Sequence, residues 1–581
     1  MIDNFQPSNI FETQNHVLSD GSAECALLVQ QKIQVAVHLF MFLIGFILFE
    51  WGNSRTKSAE ASIVKHMFLF MSASILTFLL GFALAFGEPH LIGTRYFLSI
   101  RMLKDSDNPE NSEMLALNYL LLILSMTVTS TVAVSSINER QSIWVQVALG
   151  VYLQVFLLPI VTAWTHGGGF LNKLYLEDQS GCISFHLFAG IAAMLMSSLI
   201  QPRLGRFEPL TILHDLDSDE SDGEERIVLS SAAVLHTKSQ RKIDKVARGL
   251  DMQVSDKHKN FNYMLEKVRK AVSMANNDGF FSRNSDLGVM LGTILMWFGL
   301  AHSSAGITQS ITDDHIDSNQ IVINFFIAGV GGALGAHITS KVLKFFKLKK
   351  EKKQFENYLS IGVDFDQQRA VTTQRKQTYF MNLDCQLDMI VISRGIISGA
   401  IAISVSPSNF FTWAALINGS AGGGLYVMSC KLLHIFEIDD TTHISQCHGF
   451  VSLWSLVSII LFHKTEGFFF NTTEDSMTTL QLQEARAQIM VILGSNSLAV
   501  LTVIIITIAL LFPMNYWGLD RFSRVSKVQE LLGQDTFRLV RRDLKLRNHC
   551  QELINEYYPD NVSDYLLSKH KLLMKVKSGS S

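Results

Sequence analysis

The chain has 581 residues, 48% of them hydrophobic, with 39 Phe and 21 Met against only 17% charged residues, which excludes an ordinary set of soluble domains. The formal net charge of −3 says nothing about partners, because spans and loops average together and only the placement of Lys and Arg carries information. Six Cys in a chain of this length make neither a disulfide framework nor a paired metal spacing, and no metal, nucleotide, cofactor or nucleic-acid motif is visible.

The apolar residues fall into about eleven blocks of about twenty residues, the length that crosses about 30 Å of hydrocarbon at about 1.5 Å per residue. Open sheets leave backbone groups unpaired in lipid, and the blocks are too long and unbroken for barrel strands. The expected fold class is therefore an all-α polytopic membrane protein with eleven transmembrane helices. Residues 1–31 carry acids but no Lys or Arg and lack the pattern of a cleaved signal, so they read as an extracellular tail. The first span, about 32–51, is followed by Arg55, Lys57 and Lys65, which the positive-inside bias holds in the cytoplasm. Further spans are expected at about 66–87, 114–136, 142–163 and 183–201, closing a first membrane portion at 32–201.

A polar cytoplasmic insert follows at 202–286. It opens with the acidic run Asp215–Glu225 and ends in a basic amphipathic helix in which Phe261, Met264, Leu265, Val268 and Val272 recur at helical spacing. Ser218 and Ser221 are candidate phosphorylation sites that would add charge beside that helix. The second membrane portion, 287–463, holds spans at about 287–306, 320–343, 388–406, 411–434 and 446–463, with a cytoplasmic loop at 344–386 containing the Lys347–Lys353 cluster. An extracellular loop at 464–487 precedes the last span, 488–513, and a cytoplasmic tail, 514–581, ends the chain. Asn471 lies in a sequon on the outer side and is the expected glycosylation site, whereas the sequon at Asn561 lies inside. Cys25 and Cys182 both fall on the outer side, so a bridge between them is a candidate.

An odd count with two groups of five suggests a 5+5 inverted repeat plus one helix, with a site between the halves. Spans five and ten are then equivalent, and each carries a histidine, His186 and His448. Such a pair near the midplane can share a hydrogen bond and pass a proton, although His38 and His337 also lie in apolar blocks, where a packing role is the commoner one.

The pieces Gly81–Gly87, Glu139-Arg140, Gly167-Gly-Gly169, Asp178 eight positions before His186, Pro202-Arg203, Gly292–Gly299, Ser393–Ser404, Ile438-Asp439-Asp440 before His448-Gly449, and Arg524-Val525 with Gln529-Glu530 occur in a characteristic order. Through them residues 32–535 resemble the ammonium transporter superfamily (Amt, methylammonium permease and Rhesus), closer to the Amt branch. The resemblance implies that His186 and His448 are the twin pore histidines, that Asp178 orders the outer vestibule, and that Ser304 is the vestibule serine. It also implies a homotrimer with one pore per subunit, and the small residues Gly419, Ala421, Gly422, Gly423 and Gly424 would suit close helix packing.

Three positions depart from the family pattern. His166 stands where most members carry an aromatic that holds ammonium by cation–π attraction, worth up to about 2 kcal/mol. Ser125 and Leu300 stand where two gate phenylalanines are expected, with Phe298 and Phe185 as candidate substitutes. The expected function is uptake of ammonium at a vestibule edged by His166, Ser304 and the backbone ordered by Asp178. Ammonia is then conducted past His186 and His448, with no cofactor and no enzymatic step. Expected partners are ammonium or ammonia, membrane lipid, further copies of the chain, and cytoplasmic regulators of the insert and tail. The altered gate keeps two alternatives open, a non-conducting ammonium sensor and a channel for small neutral solutes or gases. The expected location is the plasma membrane.

Overall fold

The computed structural model describes residues 22–87, 97–99, 109–167, 169–171, 176, 178–203, 206–207, 211–214, 227–230, 283–311, 318–359, 388–464, 467–469, 494, 497–505, 508, 525 and 530. Two compact units emerge. The larger comprises residues 1–54, 62–201 and 283–523, and the smaller comprises 55–61, 202–282 and 524–581.

The larger unit is helical. In chain order its helices are α1 (Ser22–Asn53), α2 (Ala59–Leu76), α3 (Phe82–Phe86), α4 (Pro109–Ser135), α5 (Ile143–Tyr152), α6 (Leu158–Thr165), α7 (Phe188–Leu199), α8 (Asp286–Ile311), α9 (Ser318–Leu359), α10 (Met389–Ile401), α11 (Thr412–Ile435) and α12 (Val451–Phe462). Wider π-helical turns join or open several of them, at Thr77–Gly81, Leu153–Leu157, Cys182–Leu187 and Ser445–Phe450. Among the described residues, eight stretches are long and apolar enough to cross a membrane: Lys32–Asn53, Thr56–Phe86, Asn118–Ser135, Ile143–Thr165, Cys182–Leu199, Asp286–Gly306, Ser318–Lys350 and Ser445–Phe462. Residues such as Met67, Ile75, Ile294 and Ile338 leave large apolar side chains exposed on these stretches, a surface that matches hydrocarbon and not water.

Helix bounds differ from the sequence reading at several ends, and three of these differences have a plain local cause. The first helix begins at Ser22, inside the expected tail, because Ser22–Gln31 has no Gly or Pro to stop it. α9 continues to Leu359, so the Lys347–Lys353 cluster rides on a helix and not in a loop; Lys is a good helix former, and no breaker intervenes. α10 stops at Ile401, short of the expected 406, because Pro407 removes a donor and disfavours helix in the residue before it. Of the last expected span, residues 497–505 are helical, and most of the remainder lies outside the described residues.

Close packing rests on glycine. A Cβ on Gly45 would lie 2.6 Å from the Met296 nitrogen, so α1 and α8 touch backbone to backbone. The glycines of α11 are spent within the chain: a Cβ on Gly419 would strike the Ala328 carbonyl, and one on Gly423 the Gly332 carbonyl. α7 crosses the turn Ser445–Phe450 so closely that a Cβ on Gly190 would collide with the Gly449 backbone. The largest fully buried apolar side chains include Phe46, Phe82, Phe188, Phe325 and Phe410. Three ionisable groups are buried among them: Lys65 and His66 on α2 both contact Glu50 of α1, with His66 Nε2 2.9 Å from Glu50 Oε2, and Lys65 donates to Gln146 of α5 at 3.0 Å. Such burial is tolerable only because the charges are paired. Cys182 is a buried free thiol directed at the Ser452 carbonyl at 3.7 Å, which overturns the candidate bridge to Cys25.

The smaller unit departs from the expected all-helical fold. Within the insert, Thr211–His214 (β1) pairs antiparallel with Ile227–Ser230 (β2), in register Thr211↔Ser230 and His214↔Ile227. Ile, Val and Thr suit strands, and a polar insert is free of the lipid constraint that forbids open sheet edges. Arg55 donates to the Glu530 carbonyl at 3.3 Å. The acidic run with Ser218 and Ser221, the amphipathic helix at 261–272, and Asn471 and Asn561 lie outside the described residues.

The Gly190–Gly449 crossing is directly testable. Gly190→Ala is expected to destabilise the protein by about 1–3 kcal/mol, the usual cost of overpacking, read as a lowered thermal unfolding midpoint of the purified protein in detergent.

Candidate functional site

Each of two π-helical turns follows an aspartate, and each carries a histidine eight positions beyond that acid: Asp178 with His186, and Asp440 with His448. Asp178 Oδ1 accepts the Ile183 N–H at 3.0 Å, while Oδ2 accepts the Ser184 N–H at 3.0 Å and the Ser184 hydroxyl at 2.9 Å. Asp440 does the same for the other turn, accepting from the Thr442, His443 and Ser445 amides at 3.2, 2.9 and 2.7 Å. The first amides of a helix have no partner within it, and a carboxylate at that position supplies both an acceptor and favourable charge. The backbone entering each turn is left-handed, at Gly181 (φ 71) and at His443 (φ 64).

The loops ahead of the turns are anchored on the ends of neighbouring helices. Gln179 and Ser180 donate their N–H groups to the Val405 and Ser404 carbonyls at 3.0 and 3.2 Å, just past α10. Thr441 donates its N–H to the Ser136 carbonyl at 3.1 Å and its hydroxyl to the Ser135 carbonyl at 2.6 Å, at the end of α4. Arg140 adds an ion pair to Asp439 at 3.1 Å and a hydrogen bond to the Asp439 carbonyl.

Held this way, the His186 and His448 rings meet with their Nδ1 atoms 3.1 Å apart, centroids 5.1 Å apart and planes inclined by 43°. Both rings are buried. One Nδ1 carries the shared proton and the other accepts it, so the pair is a hydrogen bond with two alternative proton placements. The Nε2 of His186 is buried without a hydrogen-bond partner, which leaves it available to a passing donor or acceptor.

His166 ends α6 with Nε2 2.9 Å from the Ser184 hydroxyl and 3.4 Å from Asp178 Oδ2, and its ring lies 6.2 Å from that of Phe185 at 28°. His166 therefore turns toward Asp178 and belongs to the cap of the first turn. Burial raises the Asp178 carboxyl, but the hydrogen bond and charge of His166, with the Ile183 and Ser184 amides, outweigh it and hold the group below its ordinary value.

Asp178, His166, His186 and His448 are thus joined through Ser184 and the two π turns. Ser304 and Leu300 are buried on α8. Ser125, on α4, turns its hydroxyl back to the Leu122 carbonyl at 3.0 Å. Phe298 is exposed, its ring 4.0 Å from that of His302, and His302 in turn stacks on His38 at 4.9 Å. It lies in this outward aromatic cluster and makes no ring contact with His186 or His448. Among the described residues no cluster of three His, Cys, Asp or Glu could hold a metal. Ser184 and the role of Asp440 were missed from sequence; the shared eight-residue interval from acid to histidine was the available signal.

These features define a helical, multi-pass membrane protein with a histidine pair buried between two capped turns. The Ammonium Transporter Family matches residues 32–217 and 378–541, more than half of the chain, and the chain belongs to that family. It is 23% identical over 451 residues to ammonium transporter 1 member 3 of Solanum lycopersicum, covering 74% of this chain and 73% of that protein. Among solved structures it shares the fold of a protein titled Sensor Amt Protein (TM-score 0.60, 15% identity, 88% of this chain and 98% of that one). It also shares the fold of Saccharomyces cerevisiae Mep2 (TM-score 0.55, 16% identity, 86% and 87%).

Asp178→Asn keeps the size of the side chain but turns an amide donor toward Ile183 or Ser184, so it is expected to cost about 1–3 kcal/mol. Because the folded carboxyl titrates below its ordinary value near 4, its stabilisation is complete above that pH and is lost as pH falls through the lower folded value. Thermal midpoints of wild type and Asp178→Asn should differ at pH 7 and converge in acid below about pH 4.

Proposed function

We propose that the chain transports ammonium across a membrane by admitting the ion at a vestibule beside Asp178, His166 and Ser304 and conducting ammonia past His186 and His448. The observation that carries this reading is the 3.1 Å contact of two buried imidazoles in a member of the ammonium transporter family. An ion loses its hydration in a dry apolar lumen at a cost of many kcal/mol, whereas ammonia crosses with little penalty. The ion therefore gives up its proton at the mouth. The proton follows the imidazole pair: it enters on one ring, the bridging proton shifts across the Nδ1–Nδ1 hydrogen bond, and a proton leaves from the other ring. His166 orients the Asp178 cap, and Phe185 beside it is the candidate that fills the gate. With Ser125 and Leu300 at the gate positions, the constriction lacks two phenyl rings and is wider and wetter, and with His166 in place of an aromatic the vestibule recruits ammonium less tightly.

The accompanying topology is eleven helices as a 5+5 inverted repeat plus one, with the amino terminus outside and the insert and tail in the cytoplasm. The matched anchoring of the Gln179 and Thr441 loops on the ends of α10 and α4 supports the repeat. Three copies assemble in the plasma membrane, Asn471 is glycosylated, and Ser218 and Ser221 are the regulatory serines of the insert. The second reading, a non-conducting ammonium sensor, is favoured by the altered gate at Ser125 and Leu300.

Electrophysiology on the reconstituted protein tests both. Ammonium-dependent current is expected in wild type and should fall by about tenfold or more in His186→Ala and in His448→Ala. Unchanged current in either variant removes the relay. Absent wild-type current, with normal surface expression and no rescue of yeast lacking ammonium permeases, selects the sensor.

A further inference from the structure

α9 is 42 residues long, about 63 Å at about 1.5 Å per residue, roughly twice the thickness of a hydrocarbon core. Its apolar stretch ends at Lys350, and over that last part the helix changes character. Lys344, Lys347, Lys350 and Lys353 follow at intervals of three, with Lys349 between them, and all five are exposed. Among the described residues none of the five is held in an ion pair. At the same level Phe345 and Phe346 are 45% and 59% exposed, their rings edge to face at 5.9 Å.

Exposed ammonium groups fanned around the end of a spanning helix, without ion-pair partners among the described residues and with two exposed phenyl rings between them, match the boundary where acyl chains give way to headgroups. Lysine stems run along apolar surface while their charged tips reach the polar layer, and phenyl rings enter the acyl boundary. Clustered lysines next to a spanning helix attract anionic lipid, the more strongly as their number rises.

We propose that this end of α9 binds the phosphate-bearing headgroups of anionic phospholipids, with Lys344, Lys347, Lys349, Lys350 and Lys353 contacting the headgroups and Phe345 and Phe346 seating the acyl chains. It rests on the membrane-spanning nature of α9 and not on conduction.

The test uses the full chain in nanodiscs of phosphatidylcholine containing a minor fraction of phosphatidylserine, with co-retained lipid read by native mass spectrometry. Wild type should enrich phosphatidylserine about tenfold over its share in the bilayer; the triple variant Lys347→Gln, Lys349→Gln, Lys350→Gln (the Gln variant) should lose that enrichment, the triple variant Lys347→Arg, Lys349→Arg, Lys350→Arg should keep it, and high salt should weaken it. Equal enrichment in wild type and the Gln variant, or none in wild type, overturns the proposal. Full displacement by soluble glycerophosphate also overturns it, because the site would then take free phosphate and not lipid. None of these readouts involves ammonium, so they leave the transport reading standing or falling by its own current measurement.

Discussion

The structure depends on a hydrogen bond between two buried imidazoles, His186 and His448. Two rings reach 3.1 Å only if the segments carrying them come closer than ordinary helix packing allows. Gly190 and Gly449 supply that approach, since any side chain at Gly190 would run into the opposing backbone. The wide turns at Cys182–Leu187 and Ser445–Phe450 depart from regular helical hydrogen bonding, and π-helical insertions of this kind recur at functional sites. Packing and chemistry are therefore the same constraint here.

Wide turns and broken loops leave amides without partners, which is costly in an apolar setting. Asp178 and Asp440 answer this in parallel ways, each gathering amides at the start of its turn. Their surroundings differ. Asp178 shares His166 and the Ser184 hydroxyl, and its carboxyl is held below its ordinary value. Asp440 has the Arg140 charge nearby, yet burial prevails and pushes its carboxyl up. The two carboxyls are thus shifted in opposite directions, although their backbone scaffolds correspond.

Charge elsewhere in the helical unit falls into two regimes. Glu50, Lys65 and His66 are sequestered and mutually paired, tying α1 to α2, with Gln146 bringing in α5. The lysines near the end of α9 are exposed and without carboxylate partners among the described residues. Paired burial serves cohesion within the bundle; unpaired exposure turns outward to whatever surrounds the helix.

Much was readable from sequence because a bilayer restricts the answers. About twenty apolar residues per block dictate spanning helices, and the order of Asp178, His186, Asp440 and His448 with their glycine-rich surroundings marks the family. What the sequence could not determine was how far each helix runs and where each side chain points. α9 continues through its lysines because nothing in them breaks a helix, and α10 ends early because Pro407 cannot continue it, and the Ser404 and Val405 carbonyls beyond its end accept from Ser180 and Gln179 instead. That the His166 ring turns its Nε2 to Ser184 and Asp178 is likewise decided by packing and not by its place in the sequence. Phe298, a candidate for the gate, belongs to an outward cluster with His302 and His38. Local composition decides that a segment is helical and apolar, because those properties repeat along the chain. Which ring meets which, across 262 positions of sequence, depends on contacts made only when the helices have packed.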